Sequence, residues 1–199
     1  MLRHEAEFKS PLPPAVARGA LVNWLQSIGY QLTSPHFLSS VSAQRGSMMG
    51  NFGSLNPRNW QAVVRLSCQP DGDGSLVTLD WEIATAGQTC TVADIAFWRY
   101  EIATTLSIAV GATPDVREHQ KQGARAQSGD TWRALVFTAI VVVPLIAGIA
   151  LTGSMGVASL ITLATGCVGY FSMRAPRRLG EIPVPPPPPP TMEAPPVMT

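Results

Sequence analysis

The sequence predicts an α+β protein: a small α-β-β-β-α two-layer domain, followed by a two-helix transmembrane hairpin and a proline-rich tail. Three observations carry this. Two stretches, Ala17–Ile28 and Ile95–Ala109, repeat apolar residues at three- and four-residue steps, the mark of an amphipathic helix. Between them, Gln61–Cys68 and Ser75–Thr85 alternate apolar with polar residues, as half-buried strands do. Beyond them, from Ala134 to Met173, forty consecutive residues carry no charge.

Residues 1–10 read as a flexible start. Pro11, Pro13 and Pro14 lead into the first helix, where proline is tolerated in the opening turn. Its stripe is Ala17, Leu21, Trp24, Leu25 and Ile28, and Gly29 is placed to cap it. Phe37–Ala43 suggests a first strand with imperfect alternation. Arg45–Trp60 combines glycines, asparagines and an Asn56-Pro57 pair with Met, Phe, Leu and Trp, which predicts an ordered loop. Gln69–Gly74 joins the next two strands as a hairpin turn. Thr91 and Asp94, three apart, open the second helix as an acidic capping box. Its stripe is Ile95, Trp98, Ile102, Leu106 and Ala109. Phe97 and Tyr100 lie off that stripe, so the helix either packs in one broad core or docks on a second surface. Helices with one apolar face and strands with one apolar set are satisfied by a sheet with both helices on one side. The domain spans 11–114.

Residues 115–131 are polar and read as a juxtamembrane linker or a helical extension broken at Gly123. The hairpin occupies 132–174. About twenty apolar residues cross a bilayer as a helix, so the uncharged stretch suffices for two crossings. Leu151–Gly156 supplies the turn, giving helices over Ala134–Leu151 and Met155–Met173. Gly148, Gly156, Gly166 and Gly169 offer small faces for membrane-helix packing. Arginines and a lysine flank both ends, and the turn carries none. The positive-inside rule then predicts an integral two-pass protein with the N-terminal domain and the tail cytoplasmic. Residues 175–199 include six consecutive prolines from Pro185, which predict an extended polyproline rod with a disordered end. It suits either recognition by aromatic grooves or a spacer role.

Up to Asp130 there are ten basic and eleven acidic residues. That balance argues against a nucleic-acid partner, which calls for a concentrated basic surface. Cys68, Cys90 and Cys167 show no paired spacing and agree with a reducing compartment. MLRHEAEFKS is mixed in charge and does not match a secretory leader, so insertion is expected to rely on the hairpin.

The candidate contact site is the Arg45–Trp60 loop. Arg45, Asn51, Asn56, Arg58 and Trp60 are the residues to gather around an anion, a lipid headgroup or a partner carboxylate. In the competing reading, Met48, Met49, Phe52, Leu55 and Trp60 plug the core edge. The loop has no phosphate-loop lysine and no dinucleotide fingerprint. Asp71 and Asp73 make a turn, since the further ligands of a calcium loop are missing. Asp80, Glu82, Asp94 and Glu101 read as solvated charge. His4, His36 and His119 are scattered, so neither a metal nor a cofactor is expected, and no catalytic residue is assigned.

These readings favour a non-catalytic, membrane-anchored cytoplasmic domain: an accessory, assembly or scaffolding subunit of a membrane protein complex. Its expected partners are the lipid bilayer and, through the hairpin, a membrane protein or further copies of itself. The alternative is a membrane-proximal domain that senses a small ligand or lipid headgroup through the Arg45–Trp60 loop. An enzyme ranks third, because it needs a concave site joining Asp80, Glu82 or Cys90 to a histidine.

Overall fold

A computed structural model describes all residues except 35–39, 48–50, 52–54, 87–89, 153, 174–177, 185 and 187–199. Some side chains of the last two helices, including those of Arg133, Gly148 and Gly169, also lie outside the described residues. The fold is mixed α+β. Its elements are β1 (Leu2–Ser10), α1 (Pro14–Ser27), β2 (Gln31–Ser34), β3 (Ser40–Arg45), a 3-10 turn (Pro57–Asn59), β4 (Ala62–Asp71), β5 (Gly74–Ile83), α2 (Val92–Ala109), α3 (Val116–Thr152) and α4 (Met155–Met173).

The sheet has five antiparallel strands in the order β1-β5-β4-β3-β2. Two strands exceed the expectation. Gln31–Ser34 forms an edge strand. The start read as flexible is instead β1, which pairs residue for residue with β5 from Leu2–Ile83 to Ser10–Ser75. Leu2, His4, Ala6 and Phe8 alternate with Arg3, Glu5, Glu7 and Lys9, so one face joins the core and the other meets water.

Helices α1 and α2 cover one face of the sheet. Ala62, Val64, Leu66, Val77, Leu79, Trp81 and Ile83 point into that layer and are buried. Trp24, Trp60, Trp81 and Trp98 are all fully buried there. The opposite face is polar. Arg65 bridges Asp80 and Glu82, each at 3.0 Å, and Arg3 reaches Asp80 at 3.4 Å. These exposed pairs contribute little to stability individually. Asp80 and Glu82, read as solvated charge, are partly covered and ion-paired on this face.

Both domain helices end in the same way. Gly29 has φ +96°; its N–H bonds the Gln26 carbonyl, and the Tyr30 N–H reaches back to Leu25. Gly111, at φ +102°, repeats this with Ile108 while Ala112 bonds Ser107. This is the Schellman closure, which needs a left-handed residue and so selects glycine. At the start of α2 the expected capping box is formed. Asp94 N–H bonds Thr91 Oγ1 at 3.2 Å, and Thr91 N–H bonds Asp94 Oδ2 at 2.9 Å. Asp94 is therefore a buried cap rather than solvated charge.

The stretch read as a juxtamembrane linker or a helical extension broken at Gly123 is helical, without the break. Residues 116–131 form the first half of α3, which continues without a break through Gly123 and Pro144 to Thr152. This half lies antiparallel on α2. Gly123 approaches Phe97, and Gly129 approaches Ala93. The second half packs along α4, where the Gly166 position lies against Val141. Among the described residues no helix is long and apolar enough to cross a membrane. After α4 the chain returns to the domain. Arg99 donates through Nη1 to the Leu179 carbonyl and through Nη2 to the Glu181 carbonyl, the latter at 3.1 Å, while Leu179 and Ile182 are buried in the core. The proline run, apart from Pro186, and everything after it lie outside the described residues.

Candidate functional site

The most concentrated chemistry in the domain is a buried polar cluster where α1, β3, α2 and α3 meet. The Schellman turn after α1 delivers Tyr30. The last residue of β3 delivers Arg45 on the helix-facing side, in register with Ala62. Glu101 projects from the middle of α2, and His119 from the first turn of α3.

Glu101 is the hub. Its Oε1 accepts from the Tyr30 hydroxyl at 2.7 Å. Its Oε2 accepts from Arg45 Nη2 at 2.8 Å and lies 2.7 Å from His119 Nε2. Glu101 and His119 are 0% exposed and Arg45 is 6% exposed. Arg45 also donates to the Ile28 carbonyl at 3.2 Å, and its guanidinium lies 4.6 Å from the Tyr30 ring centre and 5.4 Å from that of Trp98. The His119 ring is enclosed by Trp24, Phe97 and Tyr100. Trp24 in turn bonds Thr105 Oγ1 at 3.0 Å, and Thr105 bonds the Glu101 carbonyl at 2.8 Å.

Burial by itself raises the Glu101 pKa. The Arg45 charge, then the His119 bond and charge and the Tyr30 bond, outweigh it and bring the carboxyl down to about 2. Glu101 is therefore ionised at neutral pH and can only accept hydrogen bonds. His119 Nε2 must then carry the proton it donates. Its Nδ1 has no hydrogen-bond partner among the described residues. Burial and the neighbouring carboxylate together push the Tyr30 phenol well above its ordinary value, which keeps it a donor.

A pH dependence follows. Since the folded-state pKa of Glu101 is depressed, its contribution to stability is fully present above the ordinary carboxyl value of 4.5. That contribution drains away as pH falls from there toward about 2. Urea titrations of the full-length chain between pH 6 and about 2.5 should show the decline, and Glu101→Gln should flatten it.

The predicted loop residues take different places. Arg45 is the cation of the buried cluster. Asn51 is buried, donates to the Ala84 carbonyl at 3.2 Å and accepts from the Gln61 N–H at 2.8 Å, tying the loop to β4 and β5. Asn56 caps the 3-10 turn through Arg58 N–H at 3.0 Å and reaches Gln127 on α3 at 3.1 Å. Trp60 is a core residue, 6.5 Å from Trp98 between ring centres. Arg58 lies against α3 at Gly123, whose missing side chain leaves room for the arginine stem. Burial, then repulsion from Arg45, lowers its pKa. These side chains are spent on the protein's own backbone and helices rather than gathered around a common cavity. Leu55 is exposed and does not plug the core, while Met48, Met49 and Phe52 lie outside the described residues.

Glu101, Tyr30 and His119 are the residues that sequence reading misses. Spacing alone groups Glu101 with solvated acids and His119 with scattered histidines. Phe97, Glu101 and Thr105 repeat at four-residue steps beside the Trp98 stripe and form a second buried face on α2. That face receives α3, so the docking of α2 on a second surface is observed. Among the described residues no three His, Cys, Asp or Glu side chains gather as a metal site would need.

Of the helix-packing glycines, Gly166 faces Val141 of α3 at the α3–α4 contact. Gly156 is exposed, and its nearest neighbour is Ser154. The surroundings of Gly148 and Gly169 lie outside the described residues.

No family model matches the sequence, and no curated protein matches it. The crystal structure of TTHA0849 from Thermus thermophilus is similar over 66% of this chain and 98% of that one, at 12% identity and a TM-score of 0.22. At that level of superposition nothing is drawn from the likeness.

Proposed function

We propose that this protein is a non-catalytic membrane-anchored domain, an accessory, assembly or scaffolding subunit of a membrane protein complex. The observation that carries the reading is the outward row of apolar side chains on the uncharged stretch. Leu135, Val143, Ile146 and Ile149 of α3 and Leu160 and Leu163 of α4 are exposed among the described residues. Water is a poor solvent for such a surface, and lipid or a membrane partner is a good one. Arg117, Arg125 and Arg133 precede the stretch and Arg174, Arg177 and Arg178 follow it, in agreement with both ends on the cytoplasmic side. The return of Leu179 and Ile182 to the domain supports the same topology.

The sensing alternative is placed lower because Arg45, Asn51 and Asn56 are already engaged within the protein. An enzyme is placed lower still because the Glu101–His119 pair is sealed from solvent.

The test is the mass of the full-length protein extracted from its native membrane in mild detergent, with co-purifying proteins identified. A stoichiometric larger assembly is the expected result. Release of the protein from membranes by alkaline carbonate would sink the anchoring. A membrane-retained monomer or homodimer would sink the accessory-subunit role.

A further inference from the structure

The ends of the sheet differ. Ser10 and the β4–β5 turn at Gly72 and Asp73 mark one end, and the Ser10 hydroxyl bonds the last carbonyl of α2 there, at Ala109. Ile83, Ala62 and the N-terminus of α2 mark the other, about 30 Å away along ten-residue strands. Helix α3 runs from the first end toward the second. His119 meets Glu101, Gly123 meets Phe97 and Gly129 meets Ala93, so α3 leaves the domain beside the start of α2. The loop before the 3-10 turn is fixed to the same place by the Asn56–Gln127 bond.

At that exit, large apolar side chains stand in solvent. Leu55 is 44% exposed, Val92 64%, Trp132 68% and Leu135 58%. Among the other described residues of the domain the exposed large hydrophobics are few, Met1 and Val16. Four around one exit form a rim, and the uncharged stretch begins within two residues of Trp132. Tryptophan is the residue that settles at a membrane–water boundary, with its ring in the apolar layer and its N–H toward the headgroups.

We propose that this rim rests on the bilayer, with Leu55 and Val92 dipping into the interfacial layer beside Trp132, so the domain sits on the membrane by one end of its sheet. The proposal rests on the anchoring reading above. Its occupant is lipid, because the rim is continuous with the uncharged stretch and lies on the side toward which α3 descends.

The test uses the full-length chain in vesicles of phosphatidylcholine and phosphatidylglycerol, with one fluorophore per variant. A Cys167→Ser background removes the exposed thiol, and Cys68 and Cys90 are buried. Labels go on Leu55→Cys, Val92→Cys, Trp132→Cys, Ile146→Cys and Asp73→Cys. The first three positions are exposed, so labelling leaves the core intact. Lipids carrying a nitroxide just below the headgroup should quench Leu55→Cys and Val92→Cys about as strongly as Trp132→Cys, and leave Asp73→Cys unchanged.

If Leu55→Cys and Val92→Cys are unquenched while Ile146→Cys is quenched by a nitroxide deep in the acyl chains, the rim proposal is overturned and the anchoring stands. If iodide in the water phase also fails to reach them, protein rather than lipid covers the rim, which overturns it equally. An Ile146→Cys label that no lipid nitroxide quenches overturns the anchoring itself, and the rim with it.

Discussion

Replacing Glu101 with alanine should destabilise the full-length chain by about 3–5 kcal/mol, the cost of leaving a buried charge without its partner. Arg45 is 6% exposed and would lose its only carboxylate among the described residues, while Tyr30 and His119 would lose their acceptor. Three buried donors are stranded by one deletion, and a stranded donor costs more than its hydrogen bond contributed. Urea unfolding in detergent, followed by tryptophan fluorescence, reads this directly, because Trp24 and Trp98 lie next to the cluster. The companion variant Arg45→Met/Glu101→Met should recover only the part of the loss that comes from the stranded Arg45 charge, since Tyr30 and His119 still lack their acceptor. A Glu101→Ala cost below about 1 kcal/mol would show that water reaches the carboxylate.

Deleting residues 1–10 should cost on the order of 5 kcal/mol, more than any surface change, since Leu2 and Phe8 alone remove two large apolar side chains from the core layer. The deletion also strips the β5 edge of a partner along nine residue pairs. The terminal ammonium, which bonds Thr85 Oγ1 at 2.8 Å, goes with it. Hydrogen exchange on the full chain and its truncated form is the measurement. Amides of Val77–Ile83 that face β1 should lose protection, while those facing β4 keep more of theirs. Unchanged protection along β5 would return the first ten residues to the status of a loose end.

The missed strand and the missed cluster share a cause. In β1 the inner positions are Leu2, His4, Ala6 and Phe8, and two of the four are weak hydrophobes, so the period of two is present but faint. Mixed charge on the other face then resembles a loose terminus. The long pairing with β5, about seventy residues away, decides the matter, and no local window contains it. Glu101 is hidden for the complementary reason. A carboxylate on a helix reads as solvated until a cation and a hydroxyl from distant segments are brought to it, here from β3 and from the turn after α1. What depends on local rules is legible: the capping box at Thr91, the glycine stop at Gly29, and the existence of a hairpin turn within Gln69–Gly74, although β4 runs on to Asp71 and leaves only Gly72 and Asp73 in the turn. In the loop, Asn51 and Asn56 can bind backbone as readily as ligand, and the fold gives both of them backbone partners.

Helix α3 has one more consequence. It is a single helix of 37 residues, about 55 Å long at 1.5 Å per residue, and it belongs to the domain at one end and to the uncharged stretch at the other. A flexible tether would let the domain face any direction. A shaft transmits angle, so the compass heading of the sheet is locked to the face that the second half of α3 presents to its surroundings. One added residue in that shaft turns the two halves by about 100° relative to each other, and a full turn nearly restores the heading. The domain's bearing relative to the uncharged helix pair is thus written in the residue count between His119 and Val141.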